Sequence, residues 1–428
     1  MSGFTIDRRG FGGLLGGAAL AGLGPREALA QGQGPSFMSF SFAEDANRAL
    51  VQKLVDDFSA RGAAMQVIGS AWGDMQRNVM LRQRSRTLPT AVQISERWLP
   101  SFAAMPELVN LDETVGRAAL EAAIEPNVLN VGRHQGKQLA LPMATGSIGM
   151  IANREVLQRA GVAGVPTSLT DLRAALIAIR DRVPNSVPMA MATRNVNSIP
   201  LDVLIWVWAH GGRVIDDTGT VVVDNPRTVA AFEFMVSLMR DRLIAPEIDR
   251  PDSRRLFGQG ACGFYIDAPQ ARTFARTFSG RGEAFDAVLQ PMAIPVAEAS
   301  IPPIAMAWGN MVLFFRTGDA ARDAIGTRFA EYLISDPVQS TFPPALSALP
   351  VTRSARAAPA VANDPYFSAW ARATGQVRLH EIGVWSNAPE LSTILSEETQ
   401  AALLGQKTVA QAIASMKPRL EQSMARRA

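Results

Sequence analysis

Apolar and polar positions along this chain alternate between two periods. Ser36-Phe37-Met38-Ser39-Phe40-Ser41-Phe42 alternates polar and apolar apart from the Phe37-Met38 pair, which predicts a strand. Residues 43–60 place Ala46, Leu50, Leu54, Val55 and Phe58 at helical spacing. A second strand is read at Ala64-Met65-Gln66-Val67-Ile68, a helix over 72–84, and a third strand at Pro89-Thr90-Ala91-Val92-Gln93-Ile94. Strand, helix, strand, helix, strand is the pattern of a parallel sheet with crossover helices. Further on, a strand over 136–142 is expected to end at Pro142, and a new one to begin at Ser147 and run to Asn153. A short helix over 154–160 is stopped by Gly161. Helices are also expected to about Arg182 from Thr167-Ser168-Leu169-Thr170-Asp171, over 200–210, over 227–242 after Asp224-Asn225-Pro226, and over 319–333. A strand is read over 308–315, and two tail helices over 392–404 and 408–422.

Composition adds bounds. The hydrophobic fraction is 47% and the charged fraction 19%, a globular mix. Net charge is +3, with no block of five or six like charges, so no nucleic-acid surface is expected. Only four of the 42 basic residues are lysines, an arginine bias read as genome composition. The lone cysteine, Cys262, sits in the apolar run Ala261-Cys262-Gly263-Phe264-Tyr265-Ile266 and reads as a buried core residue that cannot form an intrachain disulfide.

The first thirty residues carry an address. Asp7-Arg8-Arg9-Gly10-Phe11 precedes a Gly/Ala-rich apolar run over 14–23 and then Ala28-Leu29-Ala30, the small-x-small pattern of a cleavage site. This resembles a twin-arginine export signal. Periplasmic location is expected, and removal after Ala30 leaves 398 of the 428 residues, enough for two domains. No later run reaches the ~18 apolar residues of a membrane span.

Over nearly all of that mature length, the chain resembles the extracellular solute-binding proteins of bacterial ABC importers, in the branch that includes maltose-binding protein. The segments that carry the likeness are Thr90-Ala91-Val92-Gln93-Ile94 with Trp98-Leu99-Pro100; Thr145-Gly146-Ser147-Ile148-Gly149 with Asn153-Arg154-Glu155; Pro166-Thr167-Ser168; His210-Gly211-Gly212-Arg213; Leu256-Phe257-Gly258 into Cys262; and Asn310 to Phe315 with Leu349-Pro350-Val351-Thr352-Arg353. The resemblance implies an α/β, two-lobed periplasmic-binding-protein fold of type II. Each lobe would be a mainly parallel sheet flanked by helices, and a hinge would join them. The N-lobe would take 36–143 plus 293–342, and the C-lobe 144–292 plus 343–428. A small-molecule solute, by the likeness a carbohydrate, would lie in the interlobe cleft and pass to the ABC permease membrane subunits. The protein would act as a monomer, without cofactor or metal and without catalysis.

Sugar rings present C–H faces to indoles and hydroxyl rims to Asp, Glu, Asn and Arg, which sets the candidate site. By the resemblance, Trp98 with Glu96 and Arg97 faces the cleft, Trp308 is a stacking platform beside Gly309 and Asn310, where glycine permits close approach of a ligand, and Trp385 precedes a C-lobe helix. Trp72 reads either as helix core or as cleft wall. Trp206 and Trp208 lie two apart on one helix and face different sides, so at least one is core; Trp206 is carried as a candidate. Glu44 and Asp45 either complement a helix dipole or hold ligand hydroxyls. Thr145, Ser147, Asp267 and Arg353 lie on crossing or cleft-facing segments, and Arg353 either clamps an anion or pairs with a lobe carboxylate. The aromatic content of 7% is modest for a disaccharide binder, which leaves glycerol phosphate or another anionic solute as an alternative.

Rival classes fail on residues or stay open. The three histidines, His134, His210 and His380, are far apart, and neither H-E-x-x-H nor G-x-S-x-G occurs. Ferric or zinc capture is disfavoured by three scattered histidines and three tyrosines. A glycosidase needs only two carboxylates and stays open.

Overall fold

The computed structural model describes residues 34–194 and 198–426; the export signal expected over 1–30 lies outside them. Strand β1 (Ser36–Ser39) opens the fold. It is shorter than its alternation predicts, because the Ser39 side chain accepts the N–H of Phe42 and starts a helical turn at Phe40–Ala43. Helix α1 (Asp45–Ser59), β2 (Gln66–Gly69), α2 (Met75–Arg84) and β3 (Ala91–Ser95) follow as two parallel crossover units, with β1 between β2 and β3.

The chain then makes its largest departure from expectation. The end of the strand foreseen to stop at Pro142 joins the one foreseen to start at Ser147 in a single 13-residue strand, β4 (Leu141–Asn153), while Lys137–Gln138 pairs separately with Arg133–His134. Proline is tolerated because the partner strand shifts register between Asn310 and Met311, opposite it. Beyond β4 come α3 (Arg154–Ala160), α4 (Leu169–Arg182), β5 (Val187–Ala190), α5 (Ile199–Ala209), α6 (Pro226–Arg240), α7 (Arg250–Gly258), β6 (Cys262–Asp267), α8 (Ala271–Ser279) and β7 (Leu289–Met292). Strand β8 (Ala305–Phe314) and helices α9 (Ala320–Leu333), α10 (Pro365–Ala373), α11 (Ala388–Leu403) and α12 (Val409–Ala425) complete the main elements.

Among the described residues the principal strand order is β2-β1-β3-β8-β4-β6-β5. Strand β4 changes partners midway: Leu141 to Ile148 pair with β8, and Gly149 to Asn153 pair with β6 and β7. One continuous strand therefore belongs to both halves of an α/β, two-lobed fold. Each half is filled on both sides of its sheet. In the first, Phe37 packs with Val51, Leu54, Phe58 and Phe329, while its neighbour Met38 packs with Val92, Phe102 and Leu313 on the opposite face. In the second, Met150 and Phe264 join α5, α6, α11 and α12, while Ile151, Tyr265 and Cys262 face Phe257 and Trp370. Cys262 is fully buried and burial pushes its thiol up to about 12, as suits a core residue. Leu346, Ala348 and Val351 pack into the first core, although the division expected from the sequence assigns 343–428 to the second lobe. No helix among the described residues is long and apolar enough to cross a membrane.

Candidate functional site

The loops that leave the carboxyl ends of β1, β2, β3 and β6 converge on one cavity of about 490 Å³ between the two cores. That is the place an open α/β sheet offers a ligand, and the volume is that of a small-molecule site. One wall comes from the first lobe: Phe40 and Glu44 after β1, Trp72 and Asp74 after β2, Arg97 after β3, and Trp308 and Asn310 on β8. The other comes from the second: Ser198 and Leu201 at the start of α5, Asp249 to Pro251 and Arg254 at α7, Asp267 and Gln270 after β6, and Ser392, Thr393 and Ser396 on α11.

Trp308 and Asn310 are two apart on β8 and so share a face. Trp308 is half-buried, while Asn310 is 1% exposed. Both ends of the Asn310 amide, Oδ1 and Nδ2, lack a hydrogen-bond partner among the described residues. Gln270, 5% exposed, leaves its Nε2 equally unpartnered. Gly146 on β4 explains how these groups come close. A Cβ there would lie 3.1 Å from Pro269 and 3.3 Å from Trp308, so its absence lets the tryptophan of one wall and the segment carrying Gln270 press onto the same strand.

The charged lining residues are internally matched. Arg254 donates to Asp267 at 2.7 Å and to Glu44 at 2.8 Å, so one guanidinium ties the two lobes across the cleft; it also lies 3.8 Å from the Phe274 ring centroid. Burial raises the Glu44 carboxyl above its usual range, and Arg254 opposes that shift. Arg250 pairs with buried Asp202 at 2.5 Å and also donates to the Ile266 carbonyl. Asp74 pairs with Arg77 at 2.9 Å and Asp249 with Arg194 at 3.1 Å. Arg97 donates to Ser95 Oγ at 2.7 Å, lies 3.5 Å from Glu96, and stacks over Trp72 and Trp98, 5.0 and 5.7 Å from their centroids. Burial lowers the Arg97 guanidinium below its ordinary value, and the Glu96 carboxylate offsets this.

Of the residues singled out from sequence, Glu44, Trp72, Arg97, Asp267, Trp308 and Asn310 line this cavity. The others do not, and each has a physical reason. Trp98, expected to face the cleft, is buried beneath the wall, edge-on to Phe40 and against Trp72, and so supports it. Glu96 points behind the wall and accepts the Gly309 N–H at 2.9 Å. Trp206 is fully buried in the second core, because every residue of α5 is buried, including Asp202. Asp45 is exposed and pairs with Arg48, so the helix-dipole reading applies to it. Thr145 and Ser147 are spent inside the crossing: Thr145 bonds the Trp308 carbonyl, and Ser147 donates to Thr374 while accepting from Trp370. Arg353 pairs with Glu125 away from the cleft, which settles its two readings for the carboxylate. Trp385 packs half-buried against the second core, not in the cavity.

Sequence reasoning missed Phe40, Asp74, Asp249, Arg250, Arg254 and Gln270. A signal existed for two: Arg250 and Arg254 are four apart on a helix capped by Asp249, and so project from one face. Gln270 had none, since it follows β6 in an irregular turn. Among the described residues, no group of three His, Cys, Asp or Glu side chains is placed to hold a metal ion.

Comparison with known proteins fits this geometry. Residues 53–369 match the family described as bacterial extracellular solute-binding protein. Proteins of Brucella abortus (strain 2308) and Brucella suis biovar 1 (strain 1330), both named as binding proteins, are 26% identical over 186 residues, 41% of this chain. The match spans 43% of those relatives' own length. Among solved structures, maltose-bound MalE3 of T. maritima superposes with a TM-score of 0.81 at 18% identity, covering 91% of this chain and 99% of that one. The GacH receptor of Streptomyces glaucescens, solved unliganded and with acarbose, gives 0.80 at 19% identity over 91% and 98%. A ribitol-bound ABC transporter solute-binding protein of Agrobacterium radiobacter K84 gives 0.77 at 18% over 92% and 98%. At these identities the likeness is one of fold.

Proposed function

Because this chain belongs to the bacterial extracellular solute-binding proteins, we propose that it is the solute-capturing component of an ABC importer. It takes a carbohydrate or related polar solute into the interlobe cleft and presents the closed, loaded form to the membrane permease. The observation that carries the reading is Asn310: a buried amide, without a partner at either end among the described residues, beside the half-buried Trp308 on the cleft wall. An unpaired buried polar group costs about 1–3 kcal/mol, which a bound solute would return as affinity. The sugar and polyol ligands named for proteins of the same fold support this choice of solute class.

The protein acts as a binder, without bond cleavage, and as a monomer. Arg8-Arg9 and Ala28-Leu29-Ala30 support delivery to the periplasm by the twin-arginine route. The lobes are divided as 36–143 plus 293–342 and 144–292 plus 343–428, except that Leu346, Ala348 and Val351 pack in the first core and Ile294 and Met306 in the second. Closure is a hinge motion in which solute contacting both walls favours the closed state.

A thermal-unfolding screen over sugars, polyols, glycerol phosphates and oligopeptides at millimolar levels tests the proposal. At a concentration of about 100 Kd, a true solute stabilises the fold by ~2.7 kcal/mol and raises Tm. A flat response to every class, or hydrolysis of an aryl glycoside, would refute it.

A further inference from the structure

The cleft also discriminates by charge. We infer that Asn310 and Gln270, one from each wall, are its specificity-determining groups and that they select an uncharged polyhydroxy solute over its acidic counterparts; this rests on the capture reading above. Three observations combine. First, both side chains are at least nine-tenths buried, both line one cavity, and both carry amide atoms without partners among the described residues. Second, among the described residues the Asn310 amide is unpartnered at its acceptor Oδ1 as well as its donor Nδ2. A group that satisfies both ends must donate and accept. A hydroxyl does; an ionised carboxylate or phosphate only accepts, and an ammonium only donates. A carboxylate or phosphate group seated at this amide would leave Oδ1 buried and unpaired, and an ammonium seated there would leave Nδ2 unpaired, so the position itself calls for a hydroxyl.

Third, the arginines of the wall are already engaged. Arg254 holds Asp267 and Glu44, Arg250 holds Asp202, and Arg97 lies between Ser95, Glu96 and two indole rings. A solute anion would have to displace one of these carboxylates and strand it in a buried place, the costliest outcome for an ion pair. It would also meet the carboxylates of Glu44, Asp74, Asp249 and Asp267 in the same lining. A neutral hydroxyl compound disturbs none of these pairs. Its C–H face can lie on Trp308 while its rim turns toward the two amides, one carried by each wall of the cavity.

Isothermal titration with matched compounds tests this. Neutral hexoses, pentoses, alditols and disaccharides are each compared with their uronates or phosphates, and oligopeptides are added because a peptide group also donates and accepts. The expected result is binding of at least one neutral compound, with its acidic partner weaker by at least about tenfold. Asn310→Ala and Gln270→Ala should each weaken that neutral compound by about tenfold, the scale of one lost hydrogen bond with its partner left unpaired. The unliganded Tm of each variant serves as the folding control, and Asn310→Asp supplies a variant of nearly unchanged shape. Tighter binding of the uronate, phosphate or peptide, or full affinity in both alanine variants, overturns the inference while leaving solute capture intact. Absence of binding by every class overturns both.

Discussion

Asn310 shows how a single side chain can serve function against stability. Its position on β8 is otherwise that of a core residue, and an apolar side chain of similar size would remove an unpaired buried amide. Asn310→Leu is therefore expected to raise the Tm of the unliganded protein while abolishing solute binding; unfolding monitored by circular dichroism, with and without solute, checks both halves. An unchanged or lower Tm would mean that the amide is satisfied in solution. Trp308 and Asn310 were singled out from the sequence by Gly309 between them, ahead of a return strand, and both line the cavity. Trp98 and Trp206 were misplaced because an indole in a suggestive loop or helix looks the same whether it covers a ligand or fills a core. What decided them was burial, which depends on chain brought in from elsewhere: Phe40 and Trp72 over Trp98, and the whole second core around Trp206.

Elements carry the support of the site. The loop over 379–384 packs against Arg97 so closely that a Cβ on Gly383 would lie 2.4 Å from the Arg97 Cβ. Gly383→Ala should thus destabilise the fold by about 1–3 kcal/mol, the cost of overpacking, and shift Arg97 against Trp72; urea unfolding measures it, and an unchanged midpoint would contradict that packing. In the same loop, His380 is buried and its Nδ1 accepts the Gly383 N–H at 2.9 Å. Burial, and then the charge of Arg97, holds its pKa well below the ordinary 6.5. A histidine depressed in the folded state contributes stability that is present above 6.5 and is lost as pH falls below it, because the unfolded chain then binds a proton that the folded one does not. The slope from this group reaches about 1.4 kcal/mol per pH unit. Comparing wild type with His380→Asn from pH 7 to 5 should show a shallower acid loss in the variant; parallel curves would exclude this role. The regular elements were mostly legible from periodicity and caps, as Ser168 and Asn225 at the starts of α4 and α6 illustrate. The continuity of β4 through Pro142 was not, because the register shift that admits the proline belongs to the distant partner strand β8.

At the scale of the whole molecule, β4 and the Glu44–Arg254 pair are two kinds of connection between lobes. The strand is covalent and passes from one sheet to the other between Ile148 and Gly149, whereas the ion pair is non-covalent and spans the cleft. Two-lobed organisation was foreseeable from the length of the chain and from the family likeness. The cross-cleft pairing was not, since residues 44 and 254 have no local relation in the chain. The most direct test of the central claim is a crystal structure of the protein with the solute that raises its Tm most. The solute should be found between the two lobes, one face on Trp308 and hydroxyls within hydrogen-bonding distance of Asn310 and Gln270. A solute bound outside the cleft, with those amides still unpartnered, would contradict the account.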